Sequence, residues 1–178
     1  MRKLGLVALF GAVLFVPHIV LAQPQTSGPA TVPEAMPFDI PYGTPIGLDD
    51  AQKAIMGAVA EAKKHNWKMS ISVVDPNGYL IAHVTMDGTQ YGSVAISQAK
   101  ARTAALFRRP SGAFQTAINT GGFPSNLSLL GMNGAVASEG GFPIVIDGRL
   151  VGAIGASGGI FTQDAVVAKA GLEAVGGK

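Results

Sequence analysis

Few residues in this 178-residue chain are equipped for chemistry, and they fall in three places. His83 is one of three histidines, and an imidazole can ligate a metal ion or carry a proton near neutral pH. Lys100, Arg102, Arg108 and Arg109 form a cationic run. Helical spacing puts Lys100 and Arg108 near one side of that run. There an arginine could grip a small carboxylate in two-point fashion. The same charges would serve equally well as a solvated face or as salt bridges between subunits. Gly155-Ala156-Ser157-Gly158-Gly159 opens onto a helix, so the backbone N–H groups of Ser157 and Gly158 could receive an anion. The alternative is close packing of a strand against a helix, the usual meaning of glycines inside a strand. No Walker or dinucleotide fingerprint accompanies these glycines.

Catalytic machinery does not announce itself. No Ser-His-Asp or paired-carboxylate pattern is present, and Asp75, Asp87 and Asp147 all fall in turns, where they cap backbone. The absence of cysteine excludes thiol catalysis and Cys-ligated metals. No catalytic residue is assigned, and binding is the better supported class, with enzyme activity left open.

The elements that must position these residues follow from periodicity. Leu48, Ala51, Ile55, Val59 and Ala62 form one helical stripe over about Asp49–His65, with Asp49 and Gln52 spaced as a capping box. His65 closes this helix, where a cation suits the C-terminal dipole. Met69–Asp75 and Tyr79–Met86 form a hairpin about the turn Asp75-Pro76-Asn77-Gly78. Pairing Asp75 with Tyr79 puts Ile71 opposite His83 and Val73 opposite Ile81, so His83 should share a face with Ile71 and Val73. Ser93 reads as the N-cap of a helix over about Val94–Arg108, stopped by Pro110. A short helix near Gly112–Ile118 and a long loop to residue 135 follow. Ala135–Ser138 is expected as a strand, then a hairpin about Asp147-Gly148, then a helix capped by Thr162. The order α-β-β-α-β-β-β-α, with tight hairpins, implies an α+β fold with a five-stranded antiparallel sheet and helices packed on one face.

The N-terminus reads as a secretory leader over residues 1–22. Arg2 and Lys3 precede the apolar run Leu4–Val16, and Val20-Leu21-Ala22 offers small residues for cleavage. Such a run is short of the about 20 residues a membrane span requires. Residues 23–47 carry six prolines from Pro24 to Pro45 and read as an extended arm, part of which could dock through Phe38, Ile40, Tyr42 and Ile46. The folded domain is 48–178. Without the leader's two basic residues, Lys+Arg match the 11 Asp+Glu, and no basic stripe with interleaved aromatics suggests nucleic acid. A periplasmic or secreted protein with no membrane span in its mature form is expected. Low charge and 24 glycines point to a homo-oligomer.

Four motifs, in order, carry a resemblance. Ile71-Ser72-Val73-Val74-Asp75-Pro76-Asn77-Gly78 resembles a VVDxxG hairpin, and Met86-Asp87-Gly88 with Ser93 resembles MDG…S. Gln98–Ala104 with Phe107 and Arg108 resembles a KAxTAxxFxR helix, and Gly140–Ile144 through Gly155–Gly159 resembles GGxPI…GAIGVSGG. Together these are similar to the GlcG/HbpS-like family of heme-binding proteins, also found as the C-terminal domain of PduO-type proteins. The resemblance covers about Leu48 to Val175. It implies a profilin-like, five-stranded antiparallel sheet, oligomeric assembly and heme as a cofactor, with roles in heme or iron handling, in redox sensing, or in glycolate and propanediol operons. Under it, His83 becomes a heme-iron ligand, although relatives carry an apolar or aromatic residue there; otherwise it is an imidazole satisfied by a backbone carbonyl. Met86 and Met132 would be second ligands or core fillers. Lys100 and Arg108 would hold the propionates. The remaining readings are a binder or enzyme for a small carboxylate or diol, and a non-catalytic oligomeric interaction protein.

Overall fold

A computed structural model describes residues 34–120, 131 and 133–177. The expected leader, the first part of the proline-rich arm and Met132 lie outside the described residues. Eight elements follow: α1 (Leu48–Lys64), β1 (Ser70–Val74), β2 (Leu80–Thr85), α2 (Gly92–Phe107), α3 (Gly112–Asn119), β3 (Gly141–Ile146), β4 (Arg149–Ser157) and α4 (Phe161–Ala174). The strands make one antiparallel sheet in the order β2-β1-β4-β3.

The sheet has four strands rather than the expected five. Ala135–Ser138 is not a strand, because its backbone is claimed by side chains. The Val136 N–H donates to Thr103 Oγ1 at 2.8 Å, and the neighbouring Glu139 N–H donates to Gln115 Oε1 at 3.0 Å. Helix caps also differ. α1 starts from Gly47 without a side-chain cap, and Ser93 lies inside α2 with its hydroxyl turned toward Ser157. At α4, the Gln163 side chain accepts from the Ile160 N–H at 3.0 Å, in place of a Thr162 cap.

Helices cover both faces of the sheet, not one. Antiparallel pairing sets Ile71 against Ala156 and Val73 against Ile154, and these residues form the main core with Ala51, Ile55 and Ala58 of α1 and with Val167 and Ala168 of α4. Alternate positions, Ser70, Ser72, Val74, Ala153 and Ser157, face the other way, and Val74 and Ala153 pack with Ala101, Ala104 and Ala105 of α2. That second face was hidden by its small and polar residues, which carry little hydrophobic signal. Gly155 makes the approach possible: a Cβ there would run into the Ser97 carbonyl and the Ala101 backbone of α2.

Part of the arm docks as its alternation suggested. The Leu150 N–H donates to Pro41 O at 2.9 Å, and the Gly43 and Ile46 N–H groups donate to Leu150 O and Val151 O at 2.8 and 2.7 Å. The Tyr42 hydroxyl donates to Leu106 O at 3.2 Å, satisfying a carbonyl in the last turn of α2.

One ion pair links the two helical layers. Lys100 of α2 and Asp164 in the first turn of α4 meet at 2.7 Å, with both side chains almost wholly buried. Gly140, at φ +112°, passes beside the pair; a Cβ would lie 2.8 Å from Asp164 Cβ and 3.1 Å from Lys100 Nζ. Removing one partner from a buried pair strands the other charge. Asp164→Asn and Lys100→Met should therefore each lower stability by about 3–5 kcal/mol, and Lys100→Met/Asp164→Leu together should recover much of that loss. Urea unfolding of the three variants measures both effects.

Candidate functional site

His83 does not lie where a simple hairpin register puts it. The turn is as expected: the Asp75 N–H donates to Tyr79 O at 2.8 Å, and Asp75 Oδ1 accepts from the Asn77 and Tyr79 N–H groups at 2.8 Å each. Beyond it, Val74 pairs with Leu80 but Val73 pairs with Ala82, so Ile81 is an extra residue on β2. This bulge moves every later pair by one. His83 consequently sits opposite Ser72, on the α2 face, rather than opposite Ile71.

That face carries a layer of hydroxyls. Ser70, Ser72, Ser93, Ser97 and Ser157 are all buried. His83 Nδ1 lies 2.8 Å from Ser72 Oγ, and Ser72 Oγ lies 2.8 Å from Ser97 Oγ. Ser97 Oγ in turn donates to Val94 O at 3.0 Å, one turn back along α2. On the other side of the ring, His83 Nε2 lies 2.8 Å from Thr85 Oγ1, which is 3.0 Å from Ser70 Oγ. The imidazole is thus satisfied by side-chain hydroxyls, not by a backbone carbonyl. No charged group is among these partners, and burial holds the imidazole below its ordinary pKa.

Two hollows border the outer strand β2. One, of about 430 Å³, is lined by Leu48, Gln52, Ile55, Met56, Ile81, Ala82 and His83. The other, of about 360 Å³, is lined by Val59, Lys63, Lys68, Val84, Thr85, Met86 and Asp87. Both fall within the range of about 300–1,000 Å³ common for small-molecule sites. Met86 therefore lines a hollow next to Thr85 and is only partly buried.

The other sequence candidates are not gathered here. The Lys100 ammonium is held by Asp164 inside the fold. Arg108 ends α2 in the left-handed region, at φ 51°, and its guanidinium faces the arm, 3.2 Å from Ile40 O and 3.4 Å from Asp39 Oδ1. Arg109 stacks over the Phe38 ring at 4.0 Å. The glycine loop does receive an anion, but its own: Asp164 Oδ1 accepts from the Gly159 N–H at 3.0 Å, and the Gly158 N–H also bonds this carboxylate. Burial pushes the Asp164 carboxyl up, against the lowering pull of Lys100 and of these N–H groups. Gly158 is also tightly packed, since a Cβ there would run into the Lys68 carbonyl. Ser157 pairs with Ser93 at 3.3 Å. His65 bonds Glu61 Oε1 at 3.0 Å and stacks on Trp67 at the surface.

Sequence reasoning missed the serines and the two lysines beside β2. The signal for the serines was present as alternation: Ser70 and Ser72 interleave with Ile71 and Val73, and Ser93 and Ser97 recur at helical spacing. Lys63 and Lys68 could not be set against β2 without its register.

A family model described as haem degrading protein HbpS-like matches residues 46–173. Protein GlcG of Escherichia coli K12 is 41% identical over 107 residues, which span 60% of this chain and 77% of that one. Among solved structures, HbpS superposes with a TM-score of 0.67 at 27% identity, covering 78% of this chain and 96% of its own. The structure described as a PduOC:heme complex also gives 0.67, at 24% identity, covering 74% and 95%.

A depressed imidazole pKa has a defined sign in stability. The unfolded chain takes up a proton near pH 6.5 and the folded chain does so only at lower pH. His83 therefore contributes stability that is present above about pH 6.5 and is lost as pH falls toward and through the folded pKa. NMR titration should show His83 losing its proton below the ordinary imidazole value. His83→Asn should flatten the fall of the unfolding midpoint across that window.

Proposed function

We propose, from the premise that this chain belongs to the HbpS-like family, that it binds heme along the outer strand β2 with His83 as the iron ligand. The observation that carries this is the state of His83: an imidazole whose pKa burial lowers, bonded on both nitrogens by uncharged hydroxyls, on the outer strand β2, which borders a hollow of mixed polar and apolar lining. Iron requires a neutral imidazole with a lone pair to give, and a porphyrin requires apolar walls. His83 fits the first need; the apolar side chains Leu48, Ile55, Met56, Ile81 and Ala82 lie on the α1 side of β2, across the strand from the ring. A macrocycle held by His83 would reach these side chains only around the open edge of β2, and Lys63 and Lys68 on that same side would pair with propionates more readily than Lys100 or Arg108, whose charges are engaged elsewhere. Heme when bound supplies the redox chemistry; the chain's part is to ligate, orient and shield it.

What is known of its relatives agrees with this reading, since the PduOC structure is a heme complex and the family model describes haem degradation. Export is part of the proposal and rests on Arg2, Lys3 and the apolar run Leu4–Val16. Self-association is supported by exposed Tyr79 and Leu80 beside the open edge of β2. A carboxylate or diol ligand draws no support from the Lys100 side, where Asp164 already occupies the ammonium and the loop N–H groups.

Hemin added to the purified protein should give a shifted Soret band that saturates at one equivalent per chain. His83→Ala should abolish the shift or weaken binding at least about tenfold, a loss of roughly 1.4 kcal/mol. Lys63→Ala/Lys68→Ala should weaken it by a smaller factor. An unaltered spectrum in His83→Ala would remove His83 from the site.

A further inference from the structure

The contacts around His83 admit one direction of hydrogen bonding. A carbonyl only accepts, so the Ser97 hydroxyl must spend its one proton on Val94 O. Ser97 Oγ can then only accept in its contact with Ser72, so the Ser72 hydroxyl donates to it. Ser72 has no second proton, and its contact with His83 must be a donation from the ring: Nδ1 carries the hydrogen. A neutral imidazole has one N–H, so Nε2 holds a lone pair and accepts from the Thr85 hydroxyl. Thr85, its proton spent, accepts from Ser70. With this polarity every contact is a hydrogen bond.

We propose that Val94, Ser97 and Ser72 form a one-way relay that fixes His83 in the tautomer protonated on Nδ1, and that Thr85, backed by Ser70, caps the Nε2 lone pair until a metal-bearing ligand displaces it. The relay runs through three elements, α2, β1 and β2, and its serines are fully buried, so the ring's orientation is set by the fold. This is the usual arrangement at ligating histidines, where the second nitrogen donates to a fixed acceptor and the first is left with its lone pair. Here the fixed acceptor is a serine whose own polarity is dictated by a helix carbonyl. Ser72 and Ser97 are positioning residues, and Thr85 is the group a ligand must move. Only the identity of that ligand rests on the heme reading above.

The test begins without heme. Long-range proton–nitrogen correlation on ¹⁵N-histidine-labelled protein at pH 8 should show His83 with a protonated Nδ1 and an unprotonated, lone-pair Nε2. The opposite tautomer in the unaltered protein overturns the relay, whether or not any variant folds. Ser97→Ala should release the ring into a mixture of tautomers and Ser97→Thr should restore the single form; an unchanged pattern in Ser97→Ala also overturns the relay. The cap is read with diethyl pyrocarbonate, which acylates an imidazole nitrogen through its free lone pair, with His65 as internal reference. Thr85→Val should speed modification of His83 about fivefold, the factor that goes with losing one neutral hydrogen bond. An unchanged rate overturns the cap. Hemin titration of the same proteins separates the two claims: the expected tautomer in a protein that does not bind hemin overturns the heme reading and leaves the relay standing.

Discussion

A lysine and an aspartate sealed inside the protein hold its two sides together. Lys100 belongs to the helix on one face of the sheet and Asp164 to a helix on the other, and among the described residues theirs is the only ion pair with both side chains buried. Taking two charges out of water costs several kcal/mol for each ion, so such a pair survives only where further hydrogen bonds complete it. The glycine loop supplies them, through the N–H groups of Gly158 and Gly159. The chain at Gly140 can pass only because that residue has no side chain. The end of β4, the loop and the starts of β3 and α4 are thereby fixed relative to α2, and the serines of α2 are fixed relative to the sheet.

The two faces of that sheet do different work. The face toward α1 and α4 is apolar and holds most of the core. The face toward α2 is small and hydroxylic, with Gly155 letting the helix lie almost on the strand. Close approach is what brings Ser97 within hydrogen-bond reach of Ser72, and so to His83. A helix kept at an ordinary distance by larger side chains would leave this imidazole without its anchor. The anchoring of His83 is therefore a product of the packing that the glycines permit.

Much of this architecture was legible in the sequence, and the failures share a physical origin. The stripe Ala51, Ile55, Val59 and Ala62 marked α1, and Asp75-Pro76-Asn77-Gly78 marked the turn between β1 and β2, because both signals are local. The bulge at Ile81 has no local signature, and it alone turned His83 from the apolar face to the hydroxyl face. Lys100 was read with Arg108 as a cationic strip because nothing near it in sequence reveals Asp164, 64 positions away. Ala135–Ser138 looked like a strand because alternation ignores side-chain competitors such as Thr103 and Gln115. The site residues were individually visible, but which of them meet was decided by register and burial.

His83 as the ligand of a bound heme is the claim on which the functional account turns. The most direct measurement is a crystal structure of the protein grown with hemin. The account predicts the iron bonded to His83 Nε2, the Thr85 hydroxyl turned away from the ring, and Nδ1 still on Ser72. Iron held by any other side chain, with His83 still bonded to Thr85, would contradict it.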